Sequence, residues 1–250
     1  MPKTKMSTDQ PDRVSAEKAF HNARFLSAPS VQPGTRYYLA LEDWYRDYLS
    51  RITDLGGSHI LEVGAGTQSL ALQIDRANFE LNSIDISEEA IAFARQHKRL
   101  PQAKFSVDDA HHTQFPAGAF DLVIGRGILH HLDIPAACAE INRVLKPGGK
   151  IIFGEPLDCN VLINLYRKLT PDIRTRDERP LSRESLKQLR SHFGKLDVRY
   201  YGFLTLGPAI FGFKSPRLIH LLDSFLLNTL GLGRFLAWAC LISTPASPRA

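Results

Sequence analysis

Two hydrophobic periods alternate along this chain. Short apolar runs closed by glycine, aspartate or proline read as buried strands at 59–63, 79–86, 103–107, 120–125, 150–154 and 196–203. Between them lie stretches in which apolar residues recur every three or four positions. These predict helices over 37–52, 67–76, 87–97, 135–145, 160–169, 182–192 and 217–230. In the first, Leu41, Trp44, Tyr45, Tyr48 and Ile52 form one stripe that covers the sheet. Strands alternating with helices imply a parallel sheet with right-handed crossovers. Residues 235–243 read as a last, antiparallel strand, which makes seven. Residues 1–15 are polar with two prolines and read as a disordered start. A helical pattern then begins near Ala16, and residues 16–250 read as a single domain with its core at 56–156.

The stretch 59–68, His-Ile-Leu-Glu-Val-Gly-Ala-Gly-Thr-Gln, carries the first chemistry. Gly64 and Gly66 allow a sharp turn and close approach of a ligand to the backbone. The turn lies at the carboxyl end of a strand, where open α/β sheets bind ligands, and the next helix points its N-terminus there. A dinucleotide site wants a third glycine, but that position is Ser69. Glu62 would also repel a pyrophosphate, whereas it suits a cationic ligand without phosphate, such as S-adenosylmethionine. A lone Gly-x-Gly also fits a plain strand-to-helix turn, and the downstream residues weaken that reading. Asp85 closes the next strand about twenty residues beyond Gly66, where an acid holds a ribose diol in a βαβ unit. Ser87 is a good N-cap for the helix after it. Of Asp108 and Asp109, one is placed to accept from an adenine amino group.

Composition adds bounds. Apolar residues make up 44% of the 250 and charged residues 23%, an ordinary globular balance. A net charge of +5 is mildly basic, with no Lys/Arg cluster dense enough for nucleic acid. Cys138, Cys159 and Cys240 are scattered, forming neither a metal spacing nor a disulfide framework, which suits a reducing, cytoplasmic setting. The first 24 residues contain no apolar core of a signal peptide.

Six motifs occur in order: Ile-Leu-Glu-Val-Gly-Ala-Gly, Ser-Ile-Asp-Ile-Ser, Asp-Asp-Ala, Phe-Asp-Leu-Val-Ile, Ile-Leu-His-His-Leu and Arg-Val-Leu-Lys-Pro-Gly-Gly-Lys. Together, over 56–156, they resemble the class I S-adenosylmethionine-dependent methyltransferases, the group of quinone C-methylases and many small-molecule methyltransferases. The resemblance implies a Rossmann-like, doubly wound seven-stranded sheet, mostly parallel, with N-terminal helices and an apolar C-terminal helical addition. It also implies that Glu62, Gly64, Ala65 and Gly66 hold the methionine moiety and that Asp85 takes the ribose hydroxyls. Ile86 would pack on the adenine, Asp109 and Ala110 would read its edge, and Arg126 would supply backbone near the methionine end. Gln68 departs from the pattern, which often has a third glycine there. Tyr37 is the candidate to reach over the cofactor from the first helix.

Methyl transfer from a sulfonium is an in-line displacement that needs alignment and exclusion of water. If the acceptor must lose a proton, a base helps, and His131, then His130 and Glu155, follow strand ends that face the site. Each also has a plain reading, the histidines as a loop start and Glu155 as a structural acid before Pro156. Residues 157–181 form an insertion read as a lid over the acceptor. Asp223 and Arg234 interrupt the apolar C-terminal stretch 203–243, which argues against a transmembrane helix. It reads first as a roof over a greasy acceptor pocket, and second as a patch peripheral to a membrane. The expectation is methyl transfer to a small hydrophobic acceptor, with an inactive cofactor-binding accessory subunit as the alternative.

Overall fold

The computed structural model describes residues 18, 19, 22, 36–53, 58–169 and 179–245. The 1–15 start, the anchors Phe20 and Phe25, the glycines at 56–57 and most of the charged run within 157–181 lie outside the described residues. The strands are β1 (His59–Val63), β2 (Glu80–Asp85), β3 (Lys104–Val107), β4 (Phe120–Arg126), β5 (Leu145–Pro156), β6 (Asp197–Tyr201) and β7 (Ala239–Ser243). They form one sheet in the order β3-β2-β1-β4-β5-β7-β6. All neighbours are parallel except β7, which runs antiparallel to both β5 and β6. The seven-stranded, doubly wound sheet with an antiparallel last strand is thus as the hydrophobic pattern implied.

Helices cover both faces. These are α1 (Glu42–Thr53), α2 (Glu88–His97), α3 (Ile134–Val144), α4 (Val161–Leu169), α5 (Arg183–Phe193), α6 (Leu206–Ile210), α7 (Arg217–Ser224) and α8 (Gly233–Leu236). Alternate strand residues supply the two layers. Ile60 of β1 and Leu241 of β7 pack with α1 and α2, while Leu61 and Ile242 pack with α3 and α5. Side chains start the helices as expected. Ser87 accepts from Ala90 N, Asp133 from Ala136 N, and Ser182 forms a capping box with Ser185.

The structure corrects four boundaries. The 37–52 helix opens as a 3-10 turn, Arg36–Leu41, before α1. The helix expected over 67–76 is absent, replaced by two 3-10 turns, Gly66–Gln68 and Leu70–Leu72. Ser69 sits between them in an extended conformation, its hydroxyl engaged with Glu62 and the amide of Ala71. Local side-chain bonds here outcompete the helix ladder. The turn expected at 146–149 is an irregularity inside β5, with the pairing to β4 shifting between Phe120 and Leu122. The 217–230 helix splits into α7 and a π turn, Phe225–Thr229. Asn228 in that turn accepts from Tyr200 N at 2.8 Å and donates to Tyr200 O at 3.0 Å. It thereby acts as a one-residue partner for the open edge of β6.

Candidate active site

The tips of β1, β2, β4 and β5 converge on one cleft. At its floor the chain leaves β1 through Gly64 and Gly66, with φ of 71° and 50°. A Cβ on Gly64 would lie 2.6 Å from the side chain of Ile128, so only glycine fits between the turn and the loop after β4. Asp85, at the tip of β2, locks the turn. Gly66 N donates to its Oδ2 at 2.8 Å and Ser87 N to its Oδ1 at 2.9 Å. Both oxygens of the carboxylate are thus held by backbone amides, which fixes the acid at the strand tip beside the glycine turn.

Glu62 occupies a different position from the one its place in the sequence suggests. It is buried beneath the turn, where its carboxylate accepts from Ser69 Oγ at 2.5 Å, Ser83 Oγ at 2.7 Å and Leu70 N at 2.8 Å. Burial pushes its carboxyl above the usual range, against the pull of those bonds and of Arg126. These bonds hold the glycine turn on the sheet.

Arg126 brings a side chain as well as backbone. Its Nη2 donates to Gln68 O at 2.9 Å and to Gln68 Oε1 at 3.2 Å, and its guanidinium lies 4.8 Å from the ring centroid of Tyr45. Gln68, the departure from the glycine pattern, thus becomes a bridge across the cleft. Tyr48 lies beside Glu62 and Arg126, with its hydroxyl buried and unbonded among the described residues. Burial, aided by the negative charge of Glu62, pushes this phenol far above its ordinary value. A buried, unbonded hydroxyl is costly.

Glu155 is fully buried at the end of β5. It accepts from Ile128 N and Leu129 N, both at 2.9 Å, and pairs with His130 Nδ1 at 2.8 Å. The carboxylate therefore fixes the loop that follows β4 and orients one histidine of the pair. The His131 ring tilts against that of His130, centroids 4.1 Å apart, and is the more exposed of the two. Beyond the tip of β3 Asp109 Oδ1 takes both His111 N at 2.9 Å and His111 Nδ1 at 2.7 Å. Those bonds hold the Asp109 carboxyl below the usual range. His111 Nε2 in turn accepts from Asp133 N at 3.1 Å, so the brace joins the tip of β3 to the start of α3. Ile86 and Ala110 follow the tips of β2 and β3, both half-buried. The side chain of Tyr37 lies outside the described residues.

The structure thus gathers Glu62, Gly64, Ala65, Gly66, Asp85, Arg126, His130, His131 and Glu155 into one neighbourhood. Sequence reasoning missed Tyr45, Tyr48, Ser69, Ser83 and His111. The tyrosines lie on an apolar stripe that reads as core, and only the structure shows their hydroxyls buried without a bond among the described residues.

The glycine floor, the acid fixed at the tip of β2 and the buried Tyr48 phenol fit S-adenosylmethionine. A family profile described as a methyltransferase domain matches residues 61–153. The chain is 30% identical over 113 residues to the ubiquinone biosynthesis O-methyltransferase of Nitrosococcus oceani, covering 43% of this chain and 47% of that protein. It is 36% identical over 120 residues to the ubiquinone/menaquinone biosynthesis C-methyltransferase of Rickettsia akari, covering 44% and 48%. The match spans about half the length of these curated relatives. Among solved structures, a possible histamine N-methyltransferase from Thermotoga maritima superposes with a TM-score of 0.62 at 19% identity, covering 90% of this chain and 97% of that one. The geranyl diphosphate C-methyltransferase of Streptomyces coelicolor superposes with a TM-score of 0.57 at 16% identity, covering 96% and 98%.

Proposed function

We propose that this chain, which has the class I S-adenosylmethionine-dependent methyltransferase fold and is similar over part of its length to quinone methyltransferases, methylates a small hydrophobic acceptor. The observation that carries this reading is the lock between Gly66 and Asp85. It sets a bare backbone turn and a fixed carboxylate side by side at the tips of β1 and β2.

S-adenosylmethionine supplies a methyl group on a sulfonium, for in-line displacement by the acceptor. The chain's part is to bind, align and exclude water, worth roughly 7–11 kcal/mol where the geometry is good. Asp85 takes the ribose hydroxyls, Asp109 and Ala110 face the adenine edge and Ile86 packs on it. Tyr48 and Glu62 meet the amino-acid end, across which Arg126 and Gln68 form a bridge. An acceptor that must lose a proton finds His130 in the better-oriented position. The contact of its Nδ1 with Glu155 Oε2 fixes the plane of the ring. His131 is the alternative base, and Glu155 acts through His130 as a positioning residue. Similarity to quinone methyltransferases supports an apolar acceptor.

Calorimetry with S-adenosylhomocysteine and a methyl-transfer assay against phenolic and quinol acceptors test the reading together. Binding with turnover is the expected result. Binding without turnover on any acceptor assigns the chain to an accessory role, and absence of binding overturns the cofactor site.

A further inference from the structure

Helix α7 is turned inside out. Leu218, Leu221 and Leu222, with Phe225 one turn on, have the three-and-four spacing of an apolar stripe. That stripe faces solvent, with Leu218 66% exposed and Leu221 63%. The side turned to the body is polar. Asp223 is buried and accepts from Gly202 N at 3.2 Å and Phe203 N at 3.1 Å, and His220 Nδ1 lies 2.7 Å from Asp43. The chain just before α7 adds Phe211 and Phe213, 74% and 69% exposed. Apolar side chains gathered like this on a surface mark a contact site.

The charges identify the occupant. Between 203 and 238 the exposed charged side chains are Lys214, Arg217 and Arg234, all cationic, while the one acid, Asp223, is buried. Lys214 and Arg217 flank the start of the stripe. Lys214 pairs with Glu42 at 3.4 Å, and Arg217 and Arg234 add positive charge on either side of the stripe. An anionic lipid surface complements both features. Among the described residues no helix is long and apolar enough to cross a membrane, and α7 with its π turn is far short of the roughly 20 residues a span needs. A short helix with an apolar outer face and basic flanks suits the plane of the headgroups. We propose that α7 and the Phe211–Phe213 turn form a docking surface for an anionic bilayer, with the leucine and phenylalanine side chains inserted and Lys214 and Arg217 at headgroup level.

The test is flotation of the full chain with vesicles of phosphatidylcholine alone and of phosphatidylcholine mixed with phosphatidylglycerol. Wild type is expected to float with the mixed vesicles and far less with the neutral ones. The combined Leu218→Glu, Leu221→Glu, Phe225→Glu variant is expected to lose binding to both and keep its thermal unfolding midpoint. Lys214→Gln with Arg217→Gln removes two positive charges and breaks only the exposed Lys214–Glu42 pair, and so serves as a second variant. It should weaken binding to mixed vesicles roughly thirtyfold, from about a factor of five per cation. The proposal is overturned if folded wild type ignores mixed vesicles, binds both kinds alike, or is matched by the triple variant. Sedimentation showing a dimer that the triple variant disperses, with no vesicle binding, would assign the stripe to a second copy instead.

Discussion

Asp85 and Tyr48 show how single side chains divide the work of the cleft. Asp85 is half-buried and already holds two backbone amides, so it is placed before a ligand arrives. Asp85→Ala should weaken S-adenosylhomocysteine binding at least about tenfold, since hydrogen bonds to a charged group are the stronger kind. Unchanged affinity in calorimetry would remove the diol assignment. Tyr48 differs because its hydroxyl has no bond to lose among the described residues. Tyr48→Phe should leave the unfolding midpoint unchanged or raised while cofactor-product binding falls several-fold. A lower midpoint with intact binding would mean that the hydroxyl serves the fold instead. Both residues stand on regular elements, but only Asp85 was legible from its position. A tyrosine on an apolar stripe is indistinguishable from core until its neighbours are known.

Between elements, the tightest constraint is the seat of α1 on the sheet. A Cβ on Gly154 would lie 2.5 Å from Trp44 Cζ2, and Trp44 Nε1 donates to Cys240 O at 3.0 Å. Helix α1 is thereby held against β5 and β7, which sets Tyr45 and Tyr48 over the cleft. Gly154→Ala should cost roughly 1–3 kcal/mol, the usual range for overpacking. Combined with Trp44→Phe it should cost less than the two single changes together, because the smaller ring makes room. Urea unfolding of the four proteins measures this, and strict additivity would show that α1 moves away without resistance. The same scale explains the lost helix at 67–76. Glu62, Ser69 and Ser83 come from separate segments, and their mutual bonds capture the residues that would have continued the helical turn.

Across the whole molecule, acid stability depends on links between segments distant in sequence. Glu140 in α3 accepts from Thr113 N and Oγ1, at 2.8 and 2.6 Å, and pairs with Arg143 at 2.6 Å. Burial opposes its charge, but the bonds from Arg143 and Thr113 outweigh that and hold its carboxyl down at about 2, from 4.5. A depressed folded value stabilises fully above the unfolded value and is lost as pH falls through the folded one. Wild type should therefore lose urea resistance from about pH 4.5 down to about pH 2. Glu140→Gln should start lower and change less across that window. Parallel slopes for the two proteins would show that other carboxylates set the acid limit.

The order of strands and helices, the glycine turn, Asp85 and the antiparallel last strand were all readable in one dimension, because each rests on periodicity or on spacing within one βαβ unit. Tertiary structure alone decided that Glu62 supports the turn from below, that Arg126 and Gln68 bridge the cleft and that Glu155 orients His130. It also decided that the leucines of α7 face outward. Each of these depends on which side chains from distant segments meet, and on which face of a helix the rest of the chain leaves uncovered. Periodicity marks a stripe but carries no information about what lies opposite it.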